Sequence, residues 1–276
     1  MPQPLRHTLA FILCLCFGLT ANAQQSVAPA LADSAAAWRV CEKQWLWGVG
    51  RANVLDTYLS PLEYTGTDLS FTLRTERKAR WGKGVHTVAE YTAHTAWLHS
   101  PTDDGKEWDG EFSAAGGWIR SWKISQHWRV AAGGLAEMSG GFTYNTRGGN
   151  NPAQGRLGVQ LEATALAEYA FRIGHKQTSA RVQADVPLAG VQFAPVYGQS
   201  YYEIFSLGHS QGVVHFTHPG NVPTVRLLAA ATLPVWRAHL TVGYLADIRQ
   251  SRLGGLRRHA WRNSLMIGYT RTLRIL

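Results

Sequence analysis

His209 and Ser210 stand side by side in the run Gly208-His209-Ser210-Gln211-Gly212, with Asn221 further along. A hydroxyl beside an imidazole is the raw material of nucleophilic catalysis, because the ring can take the proton as the oxygen attacks. Barrel lipid hydrolases hold the serine and the histidine two apart on a strand, so that both face one way. Adjacent strand residues face opposite ways, and the spacing H-x-S occurs nowhere in the chain. His209 and Ser210 are therefore expected to form a polar turn, and an enzyme using them is the alternative rather than the leading expectation. His86, Glu90 and His94 recur at intervals of four. At about 3.3 Å per residue, extended positions four apart lie about 13 Å apart, too far to share an ion held at about 2 Å. They read as the polar side of a strand. No metal and no cofactor are expected.

The elements that would position these residues are strands. In 156–171, Leu157, Val159, Leu161, Ala163, Ala165, Ala167, Tyr169 and Phe171 alternate with Gly158, Gln160, Glu162, Thr164 and Glu168, a period of two that belongs to strand. The same alternation sets Ala180, Val182, Ala184 and Val186 against Arg181, Gln183 and Asp185. A soluble sandwich or lipocalin also has one apolar and one polar face per strand. Two features favour an antiparallel transmembrane β-barrel: the strands are long enough to cross a bilayer when tilted, and tryptophan and tyrosine gather near their ends, as at Trp97, Trp108, Trp118, Trp122, Trp128, Tyr144 and Tyr169. Short turns at 80–84, 123–126 and 173–177 interleave with longer polar loops at 100–109 and 145–155, as inner turns and outer loops of such barrels do. Continued to the end, the register places strands near 199–206, 213–218, 224–233, 237–248 and 259–275. The expected total is about 12, with 10 to 14 within the reach of the pattern.

In a barrel the polar faces line the lumen. Arg74, Glu76, His86, Glu90, His94, Glu162, Glu168, Arg181 and Asp185 are expected there, joined by Tyr201 and Glu203 if 199–206 descends as a strand. Charges of both signs in a confined space pair to fill it, so a plugged or narrow pore is expected. The apolar stretch around Phe193, Pro195 and Tyr197 falls where an outer loop belongs, and Pro195 resists a central strand. It is expected to fold inward over the lumen. The basic run 249–259 is expected to be a solvated outer loop, with contact between Arg249, Arg252, Arg257 and Arg258 and glycolipid phosphates as the functional alternative.

Residues 1–23 read as a secretory signal: Arg6, then the apolar 9–19, then Ala21-Asn22-Ala23, with cleavage after Ala23. Residues 24–43 are expected to form an N-terminal extension on the periplasmic side, and 44–276 one barrel domain. Beyond the signal Cys41 is the only cysteine, so no internal disulfide holds the domain. The chain carries a net charge of +9. For an exported chain that surplus suits anionic lipid and lipopolysaccharide, not nucleic acid, with other envelope proteins as further partners. The segments Trp47-Gly48-Val49-Gly50-Arg51, NVLDTYLSPLEY at 53–64, FAP at 193–195 and YGQSYYEIF at 197–205 resemble an uncharacterised exported family of Bacteroidetes of outer-membrane barrel type (DUF3316-like). The resemblance implies a Gram-negative outer-membrane location and brings no activity or site. The expected function is a non-enzymatic outer-membrane barrel in a transport, envelope-structural or accessory role. A lipid hydrolase using Ser210 with His209, and a soluble periplasmic lipid-binding barrel, are the alternatives.

Overall fold

The computed structural model describes residues 39–149, 151–235 and 238–275. The expected signal and most of the expected N-terminal extension lie outside them. The described strands are β1 (Arg39–Asp56), β2 (Glu63–Lys78), β3 (Val85–His99), β4 (Lys106–Lys123), β5 (Trp128–Asn145), β6 (Ala153–Ile173), β7 (Lys176–Phe193), β8 (Val214–Thr217), β9 (Val225–Val235), β10 (Ala238–Leu253) and β11 (Leu256–Ile275); one short helix, α1 (Tyr201–Phe205), precedes β8. β1 thus begins at Arg39, before the boundary expected at Gln44. Each of β1 to β7 pairs antiparallel with the next, β7 pairs with β9, and β9, β10, β11 and β1 complete a closed ring of ten strands. Following the paired residues once round this ring leads back to β1 about 12 residues further along, a stagger that tilts the strands by about 40°.

The count corrects the expectation of about 12. The segment 199–206 is α1 and its caps, because Ser200 and Glu203 close a capping box: the Glu203 N–H donates to the Ser200 hydroxyl, and the Ser200 N–H donates to the Glu203 carboxylate. That box satisfies the first-turn donors of a helix and competes with strand pairing. The segment 213–218 holds β8, which pairs only with the outer end of β7, from Gly190↔Thr217 to Phe193↔Val214. Prolines explain why β8 and β9 do not run as one strand. The β7–β9 ladder ends at Asp185↔Arg226, just short of Pro187, and Pro219 and Pro223 interrupt the descending chain before β9. A residue without N–H cannot extend a ladder.

Burial alternates along every long strand. On β2, Tyr64, Asp68, Ser70, Thr72, Arg74 and Glu76 are buried while Leu69 is 38 % exposed. Within the lumen three apolar clusters pack: Val54, Tyr64 and Leu98 with small neighbours near the β1–β2 turn, Val88, Ile119, Leu135 and Leu166 across β3 to β6, and Leu46, Leu228, Leu245 and Met266 across β1, β9, β10 and β11. The outer face carries the largest apolar side chains, with Leu265 69 %, Leu161 60 % and Ile267 57 % exposed. Aromatic residues bound this belt. Trp45 stacks on Tyr269 and Trp128 leans on Tyr169 at the lower edge, and Trp108 meets Phe142 edge to face at the upper. On the β1–β11 pair the rungs Trp45↔Tyr269 and Asn53↔Trp261 stand about 20 Å apart in height at this tilt, close to the apolar band of a membrane barrel.

Candidate functional site: the lumen and its outer mouth

The alternation that turns apolar side chains outward sends charge inward, where it bridges the barrel from wall to wall. In the outer half, Asp109 on β4 accepts from Thr143, at 3.1 Å from Arg156 and Arg258, and from Arg262 on the opposite wall. Glu111 lies 2.7 Å from Arg249 and 3.1 Å from Arg262, whose side chain is 1 % exposed. His94 sits between two carboxylates, Nδ1 at 3.2 Å from Asp68 and Nε2 at 3.3 Å from Asp247. In the inner half, Glu76 gathers Arg74, Arg129 and His86 within 3.0 Å, and Arg129 also holds Glu168 at 2.7 Å. Arg226 on β9 reaches across to Glu90 on β3 and pairs with Asp185 at 3.0 Å. Arg181 spans to Gln44 and lies 3.6 Å from Glu42 on β1. Glu162 accepts from Gln160 at 3.0 Å.

Arg74, Glu76, His86, Glu90, His94, Glu162, Glu168, Arg181 and Asp185 therefore all project into the ring, and each meets partners of its own. The intervals of four do separate His86, Glu90 and His94: the first faces Glu76, the second Arg226, the third Asp68 and Asp247. Tyr201 and Glu203 do not line the lumen. They belong to α1, above the barrel, because the capping box makes helix where the alternation suggested strand. The outer-half group built on Asp109, Glu111, Asp247 and Arg262 is absent from the expectation. Its signal is continued alternation: Asp109 and Glu111 step with Ser113, and Asp247 and Arg249 with Ser251, across the loop boundaries expected at Asp109 and Arg249.

Chain 194–213 joins β7 to β8 and leans over the mouth. The Tyr197 N–H donates to the Gly254 carbonyl at 2.9 Å, the Tyr58 hydroxyl donates to the Gln199 carbonyl at 3.1 Å, and the Tyr201 hydroxyl donates to the Gly155 carbonyl at 3.0 Å. The rings of Tyr58 and Tyr201 meet edge to face at 6.0 Å, and burial pushes the Tyr58 phenol up to about 12. Pro195 is buried in this arch and the Phe193 ring lies 6.2 Å from that of Phe205, whereas Tyr197 is 77 % exposed. His209 and Ser210 lie in the same outer loop, not in the inner turn the longer strand count implied, because α1 replaces a descending strand. Both are exposed, and among the described residues no hydrogen bond joins their side chains.

The basic run 249–259 is not a loop. Gly254 and Gly255, with φ of 57° and 80°, form a two-residue turn between β10 and β11, the geometry that requires glycine-like freedom. Both strands run to that turn, so parity sends Arg249 and Arg258 into the lumen, to Glu111 and Asp109, and removes them from any lipid contact. Arg252 and Arg257 stay outside, directly opposite each other.

A family profile described as a protein of unknown function, DUF3316, matches residues 9–276. No curated protein matches the chain. Among solved structures it is similar to the outer membrane protease OmpT from Escherichia coli, at 7% identity over 87% of this chain and 98% of that one, with a TM-score of 0.41. It is also similar to the translocator domain of the autotransporter NalP from Neisseria meningitidis, at 10% identity over 96% and 95%, TM-score 0.37. A third is the transport unit of the autotransporter AIDA-I from Escherichia coli, at 10% over 98% and 99%, TM-score 0.37. Likeness at these scores assigns no role.

Proposed function

The chain belongs to the DUF3316 family of proteins of unknown function, and on that premise we propose that it is an integral outer-membrane β-barrel, closed at rest, in an envelope-structural or transport-accessory role. Two observations support the membrane. Large apolar side chains face outward in a continuous belt edged by aromatics, and the backbone closes on itself in a ring, the form in which strands cross lipid. A soluble lipid-binding barrel would place that apolar face inside. The membrane partner is accordingly outer-membrane lipid around the belt.

The observation that carries the closed state is the ion pairing from wall to wall, with Arg262 and Arg226 on one side answering Asp109 and Glu90 on the other. The purified chain in a planar bilayer is expected to show no steady conductance steps. A stable open current in the native protein would overturn the closed lumen. The membrane assignment has its own check: the folded chain should migrate faster on a gel unheated than boiled and remain with membranes after alkaline extraction. A protein recovered in the soluble fraction without detergent would overturn it.

A further inference from the structure

Outside the barrel, at the upper rim, residues 218–223 overhang the outward faces of β10, β11, β1 and the start of β2. Asn221 shapes the overhang: its side chain accepts from the His218 N–H at 2.8 Å and donates to the Phe216 carbonyl at 2.8 Å, while its own carbonyl takes the Arg252 N–H. Beneath lies a cavity of about 380 Å³, walled by Arg252, Arg257, His259, Gln250, Asn221 and Leu55. Arg252 and Arg257 face each other across the β10–β11 ladder, and among the described residues neither has a carboxylate within ion-pair distance. Like charges directly opposite on a sheet are costly when nothing lies between them. The one carboxylate on the wall, Glu63, is already engaged, accepting from Asn53 at 3.2 Å and lying 3.7 Å from His259. Arg257 is two outward positions above Trp261, where the aromatic edge of the belt ends on β11. The cleft thus opens at the height of lipid headgroups.

We propose that this cleft binds a phosphate-bearing headgroup, its oxygens shared between the guanidinium forks of Arg252 and Arg257. Two planar forks suit the several oxygens of a phosphate, and the cavity exceeds what a bare phosphate fills, leaving room along Leu55 for the group esterified to it. The headgroup as source rests on the membrane reading above; the phosphate chemistry does not. The test uses the full chain folded in maltoside micelles, which carry no phosphate, titrated calorimetrically with dihexanoyl phosphatidate, with inorganic phosphate and with dihexanoylglycerol.

Phosphatidate is expected to bind more tightly than inorganic phosphate, and the neutral dihexanoylglycerol not to bind. Paired replacement Arg252→Gln and Arg257→Gln should weaken phosphatidate by about tenfold or more, as loss of charge-assisted contacts does. Lys83→Gln with Lys123→Gln, one in the β2–β3 turn and one at the inner end of β4, should leave it unchanged. Inorganic phosphate binding as tightly as phosphatidate, and sensitive to the same arginines, would keep the phosphate site and overturn the lipid as its source. Binding of neither phosphate probe, or binding indifferent to both arginines, would overturn the proposal. Heat-modifiable migration of each variant establishes that it is folded, and Arg257→Lys, which keeps the charge, gives a second reading if the paired variant does not fold. A barrel that conducts would leave this outcome untouched.

Discussion

At the residue scale, Arg262 shows how the lumen is balanced. Its guanidinium is buried against Asp109 and Glu111, and removing one member of such a group strands the others without water. Arg262→Ala is expected to lower stability by about 3–5 kcal/mol, read as an earlier urea midpoint in micelles. Replacing Arg262, Asp109 and Glu111 together by neutral residues of similar size should cost far less, since what is expensive is the unanswered charge. Three positions along the same strand, Leu265 faces the opposite way at 69 % exposure. Leu265→Arg in a lipid-facing belt should cost about 2–4 kcal/mol in bilayers. The same change would be almost free if that face met water.

At the element scale, α1 depends on its capping box. The Ser200 backbone N–H first, then the Ser200 hydroxyl, hold the Glu203 carboxyl below the usual carboxylate range. A lowered folded-state value means that the stabilisation is full above the ordinary range and is lost as pH falls through the folded value. Hydrogen exchange at the Ile204 and Ser206 amides, which donate to Ser200 and Tyr202, measured relative to an unstructured peptide at the same pH, should therefore be slow near neutrality and fast in acid. In Glu203→Ala it should be fast at both, while the barrel amides stay protected. Equal protection in the variant would show that the arch, not the box, holds α1.

At the scale of the molecule, the odd–even order of the strands puts the β1–β2 and β10–β11 turns and the loop bearing α1 at one end, and the β2–β3 and β6–β7 turns at the other. With the former end outside, Tyr197→Cys in intact cells should react with an impermeant maleimide and Lys176→Cys should not. Cys41 is buried and adds little background. The reverse labelling pattern would invert the orientation and place the arginine cleft on the inner leaflet.

Alternation of apolar and polar residues was enough to identify most strands and their two faces, because the pleat converts period two directly into inside and outside. It placed Glu76, Glu90, Arg181 and Asp185 in the lumen and the aromatics at the edges of the belt. Alternation alone did not distinguish a stave of the barrel from 199–206, where a three-residue capping contact makes helix, and it did not show that prolines cut β8 from β9. Nor did it show where 249–259 turns. Once Gly254 and Gly255 take the corner, a shift of one residue decides whether an arginine neutralises Asp109 or stands bare at the rim. Partners across the lumen, such as Arg226 with Glu90, belong to strands far apart in the chain. Local pattern carries which face a residue takes; closure of the ring decides what it meets there.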